Sequence, residues 1–94
     1  MTTRYEKGRR AEYKTIRALE ALGYTCTRSA SSKGLWDVVA VNSTETRLVQ
    51  VASGKRGKSP GELEPFALLR TAPATVKEVW TWLVRAREPI VKRL

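Results

Sequence analysis

Between Trp36 and Lys58 the chain places two apolar, β-branched runs on either side of one polar turn. The first is Trp36-Asp37-Val38-Val39-Ala40-Val41, the turn is Asn42-Ser43-Thr44-Glu45-Thr46, and the second is Arg47-Leu48-Val49-Gln50-Val51-Ala52. Such runs, divided by turn-forming residues, predict adjacent antiparallel strands. Side chains alternate along a strand, so Asp37, Val39 and Val41 are expected on one face of the first strand, and Leu48, Gln50 and Ala52 on one face of the second. Two residues are out of character for buried strands: Asp37, the only aspartate in the chain, and Gln50. A glycine-loosened basic run, Gly54-Lys55-Arg56-Gly57-Lys58, follows directly.

Upstream, Ala11, Tyr13 or Thr15, Ile16, Leu19 and Leu22 recur at steps of three and four, which predicts a helix over Tyr5 to Leu22 with Gly23 at its C-cap. Lys7, Arg9, Arg10, Lys14 and Arg17 stud its outer face. Glu12 lies on or beside the apolar face, where an unpaired carboxylate is costly, so it needs a metal or an Arg/Lys partner. Tyr24 to Arg28 alternates as a strand, and Ser29-Ala30-Ser31-Ser32-Lys33-Gly34 forms a polar loop leading into Asp37. Downstream, a second helix is expected over Glu62 to Arg70, with its acids in the first turn and Pro65 tolerated only if it lies there. Val76 to Ala86 fits either period, but its β-branched and aromatic content, including Trp80 and Trp82, favours a strand. Ile90 to Leu94 is a final strand. The order is αβββαββ, expected as a single domain over residues 1–94.

Composition narrows the chemistry. The chain has 94 residues, a formal charge of +9, no histidine and one cysteine, Cys26. Such a positive excess favours a polyanionic partner, nucleic acid before an anionic membrane surface, because neutralised phosphates release counterions. No apolar run approaches the ~20 residues of a spanning helix, and a soluble, cytoplasmic protein is expected. Without histidine there is no Ser-His-Asp triad, no histidine-base nuclease and no zinc site built on Cys and His. What remains are carboxylates, lysine, serine and an oxygen-loving metal. An acid on one strand and an amide oxygen on its neighbour can converge on one divalent cation. Asp37, Gln50, the backbone carbonyl of Val51 and Glu12 would suffice for Mg²⁺, with Mn²⁺ as a substitute.

Taken together, these residues resemble the PD-(D/E)xK nuclease superfamily and, within it, the archaeal-type Holliday junction resolvases. The resemblance runs from Lys7-Gly8-Arg9-Arg10-Ala11-Glu12 through Gly23-Tyr24 and Arg28-Ser29-Ala30-Ser31-Ser32-Lys33 to Asp37 and Val49-Gln50-Val51-Ala52-Ser53. It implies an α/β, restriction-endonuclease-like fold, a mixed and twisted sheet of about five strands flanked by helices. It also implies a Mg²⁺-dependent endonuclease resolving four-way DNA junctions. In that scheme Glu12 is the helix acid near the metal, Asp37 the central ligand, Gln50 the second strand position, usually glutamate, and Ser31 or Ser32 the loop serine at the scissile phosphate. Arg9, Arg10, Lys33, Lys55, Arg56 and Lys58 would hold phosphates. A junction has two-fold symmetry, so a C2 homodimer is expected, with the second helix and the tryptophan strand as its interface.

The departure that matters most is Ala52, which stands where the motif has lysine. Losing a group that positions water and offsets phosphate charge costs on the order of 10²–10⁴ in rate. Three readings follow: an inactivated variant, which fits best because the rest of the site is in place, a protein that only binds DNA, or an enzyme whose lysine has migrated, with Lys55 as one candidate.

Overall fold

The computed structural model describes residues 4–29, 35–54 and 57–94. Its elements are α1 (Arg4–Ala21), β1 (Thr25–Arg28), β2 (Val38–Val41), β3 (Thr46–Gly54), α2 (Pro60–Leu68), β4 (Thr75–Leu83) and β5 (Ile90–Arg93). The strands form one mixed sheet in the order β1-β2-β3-β4-β5. β1 and β2 pair antiparallel, as do β2 and β3 across the turn at 42–45, whereas the α2 crossover returns the chain parallel, so β3 and β4 run together from Thr46↔Thr75 to Gly54↔Leu83. β5 turns back antiparallel on β4.

Gly23 ends α1 as its position suggested. At φ +97° it occupies the left-handed region, while its amide reaches the Glu20 carbonyl and that of Tyr24 reaches Leu19. This pair of bonds is a Schellman cap, which satisfies two orphan carbonyls.

The ends of α2 differ from the sequence expectation. It starts at Pro60, because Ser59 caps it and forms a reciprocal capping box with Glu62. Pro65 therefore lies inside the helix rather than in its first turn. The helix stops at Leu68 instead of Arg70. Lys77, from β4, places its ammonium on the carbonyls of Phe66, Ala67 and Leu69 at 3.2, 2.6 and 2.8 Å, taking over the C-terminal acceptors.

α1 packs on one face of the sheet. Ala11 and Leu19 are buried with Val38, Ala40, Val49, Val51, Trp80 and Trp82, and Tyr24 closes the end of this core. Each fully buried Val or Leu side chain in this core is worth roughly 1.5–3 kcal/mol. Thr15, not Tyr13, occupies the ambiguous helix position: Thr15 is fully buried, and Tyr13 is half exposed. Leu22 also lies outside the core, as the C-cap turns it into solvent. Thr15 can be buried because its hydroxyl donates to the Ala11 carbonyl and accepts the indole N–H of Trp82, both at 2.8 Å. Trp80 and Trp82 are both buried in this core.

Strand alternation puts Leu48, Gln50 and Ala52 on the opposite face, together with Lys77, Val79 and Thr81. α2 contributes the buried Leu63 and Phe66. Gly57 crosses here against β4: a Cβ added to it would sit 2.9 Å from the Thr81 methyl, and its φ is +72°. Only glycine fits that crossing without strain.

Candidate active site and nucleic-acid surface

The site forms where β2 begins. In the β2–β3 ladder Val38 is the partner of Val49, yet the Asp37 amide also donates to the Val49 carbonyl at 2.8 Å. Asp37 and Val38, at the entry to β2, thus both meet Val49, the arrangement of a β-bulge, which bends the strand and re-aims a side chain. The simple alternation expected for Asp37 stops here. Its carboxylate lies alongside β3, where Oδ2 accepts the Val51 amide at 2.8 Å, while the Asp37 carbonyl accepts the Ser29 amide at 2.8 Å. In an extended strand the N–H and C=O of one residue point to the same side, so the Val51 carbonyl shares the edge occupied by Asp37.

Gln50 and Ala52 flank this point. Each is 4% exposed, on the β3 face away from α1. Gln50 has a contact of its own, and its Oε1 accepts no hydrogen bond from a described residue. Glu12 approaches from the other layer. Arg28, at the end of β1 and opposite Val38, donates from Nε to its Oε1 at 2.5 Å, with both side chains partly buried. The partner that Glu12 required is therefore an arginine. Sequence spacing did not single out Arg28, although its position one residue before the serine loop carried the signal.

The oxygens that Asp37, Gln50 and Val51 carry suit a hard cation in kind: a carboxylate, an amide oxygen and a backbone carbonyl. One bond from Val51 leaves Asp37 with further acceptor sites. Among the described residues no group of three or more His, Cys, Asp or Glu side chains could hold a metal, so any such ion would depend on Gln50 and the Val51 carbonyl.

Of the expected phosphate contacts, Arg9 and Arg10 lie exposed on α1, and Lys58 is half-buried beside Gly57. Ser31, Ser32, Lys33, Lys55 and Arg56 lie outside the described residues. Sequence reasoning did not anticipate a second basic surface, a cleft between α1 and the end of β4 where Arg10 and Lys14 meet Arg85.

A separate polar network sits at the other end of α1. Glu78 is 2% exposed and accepts from Arg47 at 3.2 Å, Arg93 at 3.1 Å and the Trp80 indole at 3.1 Å. Arg47 also bonds Glu45 at 2.7 Å and lies over the Tyr24 ring, whose hydroxyl donates to Glu45 at 2.6 Å. That hydrogen bond, then burial, raises the Tyr24 pKa. The Tyr24 bond, followed by Arg47, holds the Glu45 carboxyl below its usual range. Every member has a partner on another, and the network needs no ligand to account for it.

A mixed five-stranded sheet flanked by helices gives the restriction-endonuclease-like α/β fold. Among solved structures the chain is similar to Hjc, a Holliday junction resolvase from the archaeal hyperthermophile Archaeoglobus fulgidus. The TM-score is 0.67 and the identity 22%, over 94% of this chain and 71% of that one. No family model matches the sequence, and neither does any curated protein. No helix among the described residues is long and apolar enough to cross a membrane.

Proposed function

We propose that this chain is a structure-selective endonuclease of the Holliday-junction-resolving type, built for Mg²⁺-dependent phosphodiester hydrolysis and crippled at Ala52. The observation that carries the reading is the Asp37 bulge. It supports the reading because the fold is similar to that of a junction resolvase and the single aspartate bonds β3 at Val51, the residue after Gln50. Asp37, Gln50 and Val51 would hold the ion, with Glu12, paired to Arg28 in this structure, as a further acid. Bound there, Mg²⁺ would supply a hydroxide nucleophile and stabilise charge on the phosphate. The chain's own part is to hold the phosphate with Arg9, Arg10 and Lys58, joined by Lys33, Lys55 and Arg56, and to orient it toward Asp37. These contacts read backbone shape rather than base sequence. Ser31 and Ser32 would assist at the scissile phosphate. A C2 homodimer would match the two-fold symmetry of the junction.

Ala52 can neither position water nor offset charge. It extends from the same face as Gln50, two residues on, so a lysine there would project beside the amide. A second reading, a DNA-binding module without catalysis, is favoured by one observation: Gln50 and Ala52 are both uncharged and both buried.

The experiment is Ala52→Lys, assayed with Mg²⁺ on a four-way junction. Paired nicks, on the order of 10²-fold or more above the parent chain, support the nuclease. Junction binding without cleavage supports the binding module. Equal cutting of linear and flapped DNA would point to a nuclease with a different substrate.

A further inference from the structure

The cleft between α1 and the end of β4 shares only Arg10 with the phosphate contacts described above. Its volume is about 260 Å³, and its walls are Arg10 and Lys14 from α1, Ser53 and Gly54 from β3, and Trp82 to Arg85 from β4 and the turn after it. None of the residues lining it is acidic. Arg10, Lys14 and Arg85 form no ion pair among the described residues, which leaves three like charges around one concavity. Such charges repel each other, and an anion removes the repulsion.

Two features bear on how Lys14 and Arg85 are positioned. The Trp82 ring is fixed from inside, because its N–H is bonded to Thr15, and the Lys14 ammonium lies 5.3 Å from the ring centroid. A cation over an aromatic face keeps its charge while losing freedom. Arg85 has φ +63°, the left-handed region that a residue with a Cβ seldom adopts, and this turn places it on the cleft wall. A shallower concavity lined by Arg10, Tyr13, Lys14 and Arg17 continues the surface along α1. Its positive residues recur at steps of three and four, so they form one stripe on the helix.

We infer that this cleft is a second phosphate-binding site, taking the sugar-phosphate backbone of a nucleic acid further along β3 from the Asp37 corner. The inference rests on the nuclease-type reading for its choice of nucleic acid. The geometry supplies the anion specificity. Ser53 follows Ala52 directly and lines the cleft, so a strand lying past Asp37 and along β3 would run into Lys14 and Arg85. Fixed cations at that point would set the direction in which the DNA leaves.

The test uses the full chain, fluorescently labelled four-way junction and linear duplex, and salt titrations. The variants are Arg85→Asn, whose side chain tolerates the left-handed backbone, Lys14→Gln/Arg85→Asn, and Lys14→Arg/Arg85→Lys as a charge-preserving control. The double neutralisation is expected to weaken both DNAs about tenfold at physiological salt and to reduce the salt slope by about 2, with Arg85→Asn giving about half of that change. The control should bind like the parent. Unchanged affinity and slope in the double variant would overturn the site, as would an equal loss in the charge-preserving control. Tighter binding to phosphatidylserine vesicles than to duplex DNA, with the same dependence on Lys14 and Arg85, would assign the cleft to a membrane and overturn it too. Failure of the functional reading is a separate result: the parent shows no preference for the junction over linear duplex, yet the double variant weakens both.

Discussion

The Asp37 carboxylate accepts the amide of Val51 at 2.8 Å, while the Asp37 amide donates to the carbonyl of Val49. One aspartate therefore grips β3 at two residues and takes the place of a ladder carbonyl just where β2 bends away. The same group that closes the end of the hairpin is the candidate ligand.

Asn at position 37 can still accept the Val51 amide, but it carries no charge. In the Ala52→Lys background, Asp37→Asn should abolish Mg²⁺-dependent cleavage, with a loss on the order of 10² or more, and leave junction affinity within about twofold. Cleavage kinetics and binding titrations on the same preparation check both halves. Undiminished cutting would remove Asp37 from the site.

Gly57 is confined by both space and backbone. Gly57→Ala places a methyl against Thr81 and demands a left-handed φ, so it should destabilise the fold by about 1–2 kcal/mol in urea denaturation. Combining it with Thr81→Ser, which removes the methyl at 2.9 Å, should recover part of that loss.

Glu78 is the buried anion of the Arg47–Arg93 network. Removing one partner from a buried pair costs roughly 3–5 kcal/mol, and because Arg47 keeps Glu45, Glu78→Ala should fall near the lower end. A loss below about 1 kcal/mol by chemical denaturation would show that the network contributes little. The ordering of β5 is the second readout. Amide exchange there should rise, since Arg93 is anchored to the same carboxylate.

The Tyr24–Glu45 bond makes stability depend on pH at both ends. The folded-state pKa of Glu45 is lowered, so its contribution is present above the ordinary value of about 4.3 and is lost as pH falls through the folded value. The folded-state pKa of Tyr24 is raised, so its contribution is full below about 10 and is lost as pH rises through the folded value. Tyr24→Phe should lower stability near neutrality and flatten both limbs, as read from denaturation midpoints across pH. Unchanged limbs would sink the assignment.

Much of the architecture was legible because it depends on local pattern. The two-residue alternation around Asn42–Thr46, the three- and four-residue steps from Ala11 to Leu19, and Gly23 at the cap each encode their element without help from distant residues. Boundaries failed where a remote group decides them, as Lys77 does for the end of α2 and Thr15 with Trp82 does for the buried face of α1. Those partners are 67 residues apart in the case of Thr15 and Trp82, beyond any periodicity.

The sequence by itself determined the chemistry available: one aspartate, no histidine, a glutamine and an alanine at the two strand positions, and a large positive excess. Composition and order fix which functional groups exist and which strand or helix carries them. Only the tertiary structure decided how they meet. The bulge that turns Asp37 onto Val51, the arginine that claims Glu12, and the cleft that gathers Arg10, Lys14 and Arg85 all arise where separate elements pack. Side-chain direction at those points is set by neighbours that no local pattern specifies.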